Sequence, residues 1–215
     1  DQIHIIMIKA ALFDLDGVVL DTETQYTKFW GRQFRRYYPE SPGLEHKIKG
    51  MTLTQILEAH YAGKKDIQEV IIHELNEYEQ QMSYEYIPGF EAFVKQLRQH
   101  HIKTAVVTSS NLAKMEKVYL SKPGLKLYFD KILTSEDFSK SKPDPDSYLK
   151  GAAALGVQPE ECLGFEDSIN GLKAARAAGL FSVGLTTTNS REIVAELCDM
   201  VIDDFTQISP ADLLE

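Results

Sequence analysis

Two aspartates near the start of the chain are the residues best placed to do chemistry. Asp14 and Asp16 lie in the segment DLDG, directly after the apolar run KAALF, and Gly17 lets the backbone turn sharply behind them. In such a pair one carboxylate can attack phosphorus while the other handles the proton of the leaving group. A lone DxDG segment is often only a capped turn, so the pair indicates catalysis only if other reactive groups join it.

A second acidic pair, Glu166 and Asp167, follows another apolar run. Three or four carboxylates in one crevice repel one another unless a cation compensates their charge. A hard cation with oxygen ligands is the simplest remedy, and phosphate chemistry favours magnesium. The alternative interpretation is that Asp167 or Ser168 only caps the helix that follows.

The segment Thr108–Asn111 supplies hydroxyl groups and backbone amides where a helix is predicted to begin. Such a helix start can bind a phosphate group. Ordinary N-capping of the helix by Ser109 or Ser110 is the alternative interpretation.

Lys142 lies in the segment SKPDPD, where Pro143 and Pro145 stiffen the backbone on both sides of Asp144. A lysine ammonium held in a fixed place can neutralise charge that builds up on a phosphoryl group. A solvated surface lysine is the alternative, and only the rigid proline frame favours function.

Short apolar runs precede these clusters, and their lack of alternation predicts strands buried on both faces of a parallel sheet. Helical patterns separate the runs, which indicates an α/β fold with a Rossmann-like, doubly wound parallel sheet. The carboxyl ends of such strands form the ligand crevice, so the clusters should converge there. The predicted strands are Lys9–Phe13, Thr104–Val107, Lys131–Leu133, Cys162–Phe165, Phe181–Leu185 and Met200–Ile202. The predicted helices of this part are Ala92–Gln99, Asp146–Leu155 and Leu172–Ala178.

Between residues 21 and 86 only helical patterns remain. Thr52 and Gln55 form a capping-box pattern, and apolar residues recur at helical spacing over Ile67–Met82. A block of this length is too long for a loop within a compact domain. We therefore predict a catalytic core of residues 1–20 and 87–215, with an all-helical cap of residues 21–86 inserted after the first strand.

The segments FDLDGVVLDTE, VVTSSN, KSKPDPDSY and GFEDSINGLKAARAAG together resemble the haloacid dehalogenase-like phosphotransferases, especially their β-phosphoglucomutase and phosphoglycolate phosphatase-like branch. With the helical insert, the resemblance covers nearly the whole chain from Lys9. It implies a Rossmann-like core with a mobile helical cap, Asp14 as nucleophile and Asp16 as general acid/base. It also implies that Thr108 holds the transferring phosphoryl group and that Lys142 neutralises it. The implied magnesium ligands are Asp14, the Asp16 carbonyl, Glu166 and Asp167.

Two positions depart from the mutase-like pattern, in which a second phosphate is bound. Leu53 stands where that pattern has an arginine three residues after the Lys-Gly of the cap, and Tyr26 stands where it has a histidine. Leucine cannot bind phosphate, although Lys49 remains. We therefore favour a magnesium-dependent phosphatase that acts on a small phosphorylated metabolite through an aspartyl-phosphate intermediate. A sugar phosphomutase is the alternative, and a non-catalytic phosphate-binding protein on the same fold is the second. The predicted substrate-binding residues are Ser109, Ser110, Asn111, Lys49 and Tyr26.

The overall composition restricts the class of partner. A formal net charge of −9 argues against binding to a nucleic-acid backbone. No apolar stretch is long enough to span a bilayer, and the Ile3–Met7 run is too short for the core of a signal peptide. Met7 suits a natural start, so residues 1–6 do not enter the functional interpretation. Cys162 and Cys198 lack partners at ligand spacing and suit buried free thiols in a cytoplasmic protein, for which we expect a monomer.

Overall fold

Six parallel strands form one sheet in the computed structural model, which describes residues 6–214. The strands are β1 (Ala10–Phe13), β2 (Lys103–Val107), β3 (Lys131–Leu133), β4 (Cys162–Glu166), β5 (Phe181–Leu185) and β6 (Met200–Ile202). Their order across the sheet is β3-β2-β1-β4-β5-β6. The order reverses at β1, which is the arrangement of a doubly wound sheet. The predicted Rossmann-like α/β fold is therefore confirmed.

Strand β1 lies at the centre of the sheet, and all four of its residues are buried. Burial on both faces explains why its sequence is apolar throughout. Phe13 pairs in register with Val106 of β2 and with Phe165 of β4. The three strands therefore end at nearly the same level, and the residues that follow them share one edge of the sheet.

Nine α-helices accompany the sheet within the described residues. They are α1 (Glu23–Tyr37), α2 (Leu53–His60), α3 (Lys65–Gln81), α4 (Phe90–Gln99), α5 (Leu112–Ser121), α6 (Asp146–Ala154), α7 (Ile169–Ala178), α8 (Arg191–Ala195) and α9 (Ala211–Leu214). Short 3₁₀ turns lie at Leu44–His46, Leu125–Tyr128, Ser135–Asp137 and Pro159–Glu161. Helices α4, α6 and α7 agree with the helices predicted there, although α4 and α7 begin two and three residues earlier than predicted.

Helices α1, α2 and α3 pack around their own hydrophobic cluster, which includes Trp30, Phe34 and Tyr61. The predicted capping box is present, because the Thr52 side chain accepts from the Gln55 amide and the Gln55 side chain accepts from the Thr52 amide. We call residues 21–86 the cap segment; its status as a separate domain remains a prediction.

The other sequence-based expectations concern the ends of the chain and the cysteines. Cys162 and Cys198 are free and buried, as predicted. No helix among residues 6–214 is long and apolar enough to cross a membrane. The expectation about Ile3–Met7 falls mostly outside the described residues.

Candidate active site

Lys142 lies beneath the end of β1, between two carboxylates. Its ammonium is 3.2 Å from Asp14 Oδ1 and 2.7 Å from Glu166 Oε1, and it donates to the Val107 carbonyl at 2.9 Å. All of these groups are buried. Burial alone would lower the pKa of Lys142, but the carboxylates of Asp14 and Glu166 outweigh it and raise that pKa. Lys142 is therefore a fixed positive charge beside Asp14, and the alternative of a solvated lysine is wrong.

The carboxylates of Asp14, Glu166 and Asp167 converge at the carboxyl ends of β1 and β4. One oxygen from each lies within 4.8 Å of the others. Asp167 Oδ1 is buried and has no hydrogen-bond partner in the described part of the chain. Burial, followed by the Asp14 carboxylate, raises the pKa of Glu166 to about 7 and that of Asp167 well above its ordinary value. A hard cation with oxygen ligands would fit this donor set and satisfy the orphaned oxygen.

Neighbouring residues fix the two carboxylates that follow β4. The Tyr148 hydroxyl donates to Glu166 Oε1, and the Thr188 hydroxyl donates to Asp167 Oδ2. Gly17 adopts φ of 80°, and a side chain there would overlap the Asp167 carboxylate. The glycine is thus required both by its backbone conformation and by the close approach of Asp167. The residue that caps α7 is Ser168, whose hydroxyl accepts from the Gly171 amide at 3.0 Å; Asp167 is left to face the site.

Asp16 lies above Asp14, and donors hold both of its carboxylate oxygens. Thr22 donates to Oδ1. Ser110 donates to Oδ2 at 3.0 Å, and Lys114 forms an ion pair with the same oxygen. Asp16 is therefore more than a turn-forming residue, because it accepts contacts from both the cap segment and α5.

The Thr108–Asn111 segment follows β2 and lies beside the aspartates. Thr108 is buried and its hydroxyl accepts from the Ser110 amide at 3.0 Å. Asn111 is the N-cap of α5, since its side chain accepts from the Lys114 amide at 2.9 Å. Neither Ser109 nor Ser110 takes the capping role that sequence analysis had considered for them. All four residues of the segment line the same cavity as Asp14.

This cavity, of about 450 Å³, lies between the sheet edge and the cap segment. Lys49, Leu53 and Tyr26 line its cap side. The Lys49 ammonium donates to the backbone carbonyl of Thr188 at 3.0 Å, so it bridges the cap segment to the loop after β5. The Ser109 hydroxyl donates to the carbonyl of Gly50 at 3.3 Å, which makes a second such bridge.

The Tyr26 hydroxyl donates to Glu79 Oε2 at 2.7 Å and is thus already bonded. The ring of Tyr26, rather than its hydroxyl, faces the Lys114 ammonium, 4.4 Å from the ring centroid. The Glu23 carboxyl also lines the cavity, and burial raises its pKa to about 8, with the Asp16 carboxylate adding to the shift.

Sequence reasoning missed Lys114, Glu23 and Tyr148. Glu23 lay within the quoted segment FDLDGVVLDTE and could have been singled out there as an acidic residue close to Asp16. Tyr148 lay within KSKPDPDSY, but nothing in the sequence indicated that its hydroxyl bonds a carboxylate. Lys114 lies in α5 with a second lysine, Lys117, and its position carried no signal.

The sequence profile of the haloacid dehalogenase-like hydrolases matches residues 11–185. The chain belongs to this family. Apart from Ala10, the match spans the strands from β1 to β5, and it includes all four clusters described above. The resemblance noted in the sequence, and the assignment of the chain as a phosphoryl-transfer enzyme of the haloacid dehalogenase-like type, are confirmed.

Named relatives within the family cover most of the chain. The validoxylamine A 7′-phosphate phosphatase of Streptomyces hygroscopicus subsp. limoneus is 32% identical over 213 residues, which are 94% of this chain and 96% of that protein. The β-phosphoglucomutase of Bacillus subtilis (strain 168) is 29% identical over 191 residues, or 83% of each chain. A family IA haloacid dehalogenase hydrolase from Entamoeba histolytica has a TM-score of 0.83 at 24% identity, covering 96% of this chain and 98% of its own. At that identity the last likeness supports the fold alone.

Proposed function

We propose that this protein is a magnesium-dependent phosphatase that hydrolyses a small phosphorylated metabolite, of the sugar-phosphate kind, through an aspartyl-phosphate on Asp14. The observation that carries the proposal is the convergence of Asp14, Asp16 and Lys142 at the base of one cavity. The 32% identical relative is named a phosphatase of a phosphorylated compound, which supports the reaction type. A cavity of about 450 Å³ suits a small metabolite.

Each residue at the base of the cavity has a role in the proposed reaction. A carboxylate oxygen of Asp14 attacks phosphorus, and the bond to the leaving oxygen breaks as Asp16 protonates that oxygen. Asp16 then takes a proton from water, whose oxygen attacks the aspartyl-phosphate and releases inorganic phosphate and free Asp14. The fixed charge of Lys142 stabilises the negative charge of the phosphoryl oxygens, and Thr108 hydrogen-bonds to them.

Magnesium fits the acidic cluster described above. The carboxylates of Asp14, Glu166 and Asp167 and the carbonyl of Asp16 would hold the ion. When bound, it would neutralise charge on the phosphoryl group and on the carboxylates themselves.

The cations that line the cavity favour phosphatase over phosphomutase. They are Lys49, Lys114 and Lys142, and no arginine lines the cavity within the described residues. Carboxylates already pair with Lys114 and Lys142, which leaves Lys49 alone for a second phosphate. Leu53 lines the cavity and offers no polar group to such a phosphate. A mutase would have to hold two phosphates, and this cavity offers few donors for the second.

The test is phosphate release from a panel of phosphorylated metabolites, with magnesium and with a chelator. The parent should release phosphate only with magnesium, and Asp14→Asn should abolish release. Asp21→Asn is a matched control, because Asp21 is an exposed aspartate of the same segment that does not line the cavity. It should leave the rate within about twofold of the parent, as expected of a surface substitution.

Other outcomes would select the other candidates. Conversion of β-glucose 1-phosphate to glucose 6-phosphate without phosphate release would identify a phosphomutase, the function named for the 29% identical relative. No turnover by the parent, together with phosphate-ester binding that survives Asp14→Asn, would identify a binding protein.

A further inference from the structure

The carboxylate of Asp16 is held by three donors from two parts of the chain. Thr22, the first residue before α1, bonds one oxygen; Ser110, before α5, and Lys114, within α5, bond the other. Lys114 is 4% exposed, and its ammonium also donates to the Ser110 hydroxyl at 2.8 Å. Within the described residues, Asp16 is the only carboxylate that pairs with Lys114. The charge of Lys114 therefore faces Asp16, the residue that transfers protons in the proposed reaction.

The cap segment fixes the other side of Lys114. The ring of Tyr26 lies 4.4 Å from the ammonium, and the Tyr26 hydroxyl donates to Glu79 Oε2 at 2.7 Å. Glu79 is buried, and Lys117 of α5 pairs with its other oxygen at 3.3 Å. Lys117 also donates to Asn76 at 2.9 Å. Tyr26 of α1 is thus held between α3 and α5, with the face of its ring toward Lys114.

We propose that Lys114 is a positioning residue for the general acid Asp16, and that Tyr26 of the cap segment holds Lys114 in that role through its ring. The inference rests on the proposed function, since it assigns a task only if Asp16 protonates the leaving group. It assigns Tyr26 a different task from the substrate contact expected from sequence. The cap segment then contributes to proton transfer without touching the leaving oxygen.

A Lys114→Met variant removes one partner of a buried ion pair. Such a change destabilises a protein most where the charge that remains has no other partner. Asp16 keeps Thr22 and Ser110 as partners in a Lys114→Met variant and still faces the cavity. That variant should therefore fold, while its Asp16 carboxylate loses the constraint on its orientation. A misplacement of about 1 Å can cost a reaction a factor of about 100.

The test compares two aryl phosphates of similar size that differ in their need for a proton. Phenol, like the tyrosine side chain, has a pKa of about 10, so phenyl phosphate needs a general acid. The much more acidic p-nitrophenol leaves p-nitrophenyl phosphate as its anion. In Lys114→Met, kcat/KM for phenyl phosphate should fall by about 10- to 100-fold, less than the roughly 10²- to 10⁴-fold that a whole general acid contributes, because Asp16 itself remains. For p-nitrophenyl phosphate it should fall by less than about threefold. Asp16→Asn should show the same selectivity with a larger loss.

Further variants examine the role of the ring and supply the control. Tyr26→Leu removes the ring and should reproduce the selective loss of Lys114→Met, whereas Tyr26→Phe keeps the ring and should lose less. Lys122→Met is the matched control, because Lys122 also lies over a tyrosine ring, that of Tyr86 at 5.2 Å, and pairs with Glu85 at 3.7 Å. Lys122 follows the last residue of α5 and does not line the cavity. Lys122→Met should leave kcat/KM unchanged for both aryl phosphates.

The possible results distinguish the positioning role of Lys114 from the proposed phosphatase function. Equal losses on the two aryl phosphates, or no loss on either, would overturn the positioning role while leaving the phosphatase proposal intact. If Lys114→Met did not fold, Lys114→Gln, which keeps a hydrogen-bond donor, would be used instead. It should show the same selective loss of kcat/KM for phenyl phosphate. A parent enzyme that releases phosphate from neither substrate nor from the metabolite panel would instead overturn the proposed function.

Discussion

Gly171→Ala should destabilise this protein, although the same change stabilises most helices. Gly171 lies in α7, and alanine is favoured over glycine within a helix by about 1 kcal/mol. Here a Cβ atom would overlap the carboxyl carbon and both oxygens of Glu166. Glu166 is fully buried and cannot retreat freely, because Lys142 at 2.7 Å and the Tyr148 hydroxyl hold it.

The expected loss of stability is the sum of two costs, from overpacking and from a broken hydrogen bond. Overpacking of a buried site costs about 1–3 kcal/mol. Breaking one of the hydrogen bonds to the Glu166 carboxylate costs about 1.5–3 kcal/mol, because the acceptor is charged. After subtraction of the helix preference, the free energy of unfolding should fall by about 1.5–5 kcal/mol. Because Glu166 belongs to the proposed metal site, its displacement should also weaken magnesium binding by at least about tenfold.

The assay is urea unfolding of the parent and the variant, together with a calorimetric titration of magnesium. Gly31→Ala is the matched control, since Gly31 lies in α1 and its Cβ would meet only the ends of two side chains, Arg35 Nη1 at 3.1 Å and Glu45 Oε1 at 3.4 Å. Both ends can move, so this variant should be neutral or up to about 1 kcal/mol more stable. Equal stability of the two alanine variants, with unchanged magnesium affinity, would refute the reasoning that Glu166 is fixed in place.

Three further predictions concern the charges of the site. Burial raises the pKa of Glu23 from 4.5 to about 8. Between about pH 4.5 and pH 8 the folded state therefore keeps a proton on Glu23 that the unfolded state releases, and the free energy of unfolding falls as the pH rises. Glu23→Gln has no such titration, so the melting temperature of this variant minus that of the parent should increase from about pH 5 to about pH 8 and then stay constant. A difference that does not change with pH would contradict the pKa shift of Glu23. Lys142→Met leaves Asp14 and Glu166 without their shared cation, which should lower the free energy of unfolding by about 3–5 kcal/mol. In the fraction that circular dichroism shows to be folded, kcat should fall by at least about 10³-fold, and a loss below about tenfold would remove Lys142 from the proposed mechanism. Magnesium should raise the melting temperature of the parent above its value in chelator. The rise should be smaller in Asp167→Asn, because this variant loses the charge of one proposed ligand. An equal rise in the two proteins would mean that the ion binds elsewhere.

Much of the fold could be predicted because the sheet leaves a strong local signal. A strand buried on both faces is mostly apolar, and the runs ending at Phe13, Val107 and Leu185 follow this pattern and coincide with the ends of strands. Doubly wound topology then forces the residues after such strands to one edge. That rule alone placed Asp14 near Thr108 and the Glu166–Asp167 pair, far apart as they are in sequence.

The alternatives left open in the sequence were decided by tertiary contacts. Helix capping at Thr108–Asn111 falls to Asn111, and at the start of α7 it falls to Ser168. A sequence shows that several capping residues are available, but which one bonds the helix amides depends on where the strand ends and the helix begins. Lys142 likewise becomes a buried cation only because its loop returns to β1 and β4, 128 residues after Asp14.

Taken by itself, the sequence determined the α/β class, the helical content of residues 21–86 and the set of reactive groups, because buried strands, helix spacing and short motifs are local properties. Only the tertiary structure decided how those groups are oriented. Lys114 is 98 residues from Asp16 and Tyr26 is 53 residues from Glu79, and none of these pairings leaves a mark on the neighbouring sequence. A lysine on a helix such as α5 has the same local pattern whether it faces water or a catalytic carboxylate. The packing of α5 against the cap segment makes that choice, because it buries the ammonium where Asp16 is the carboxylate within reach.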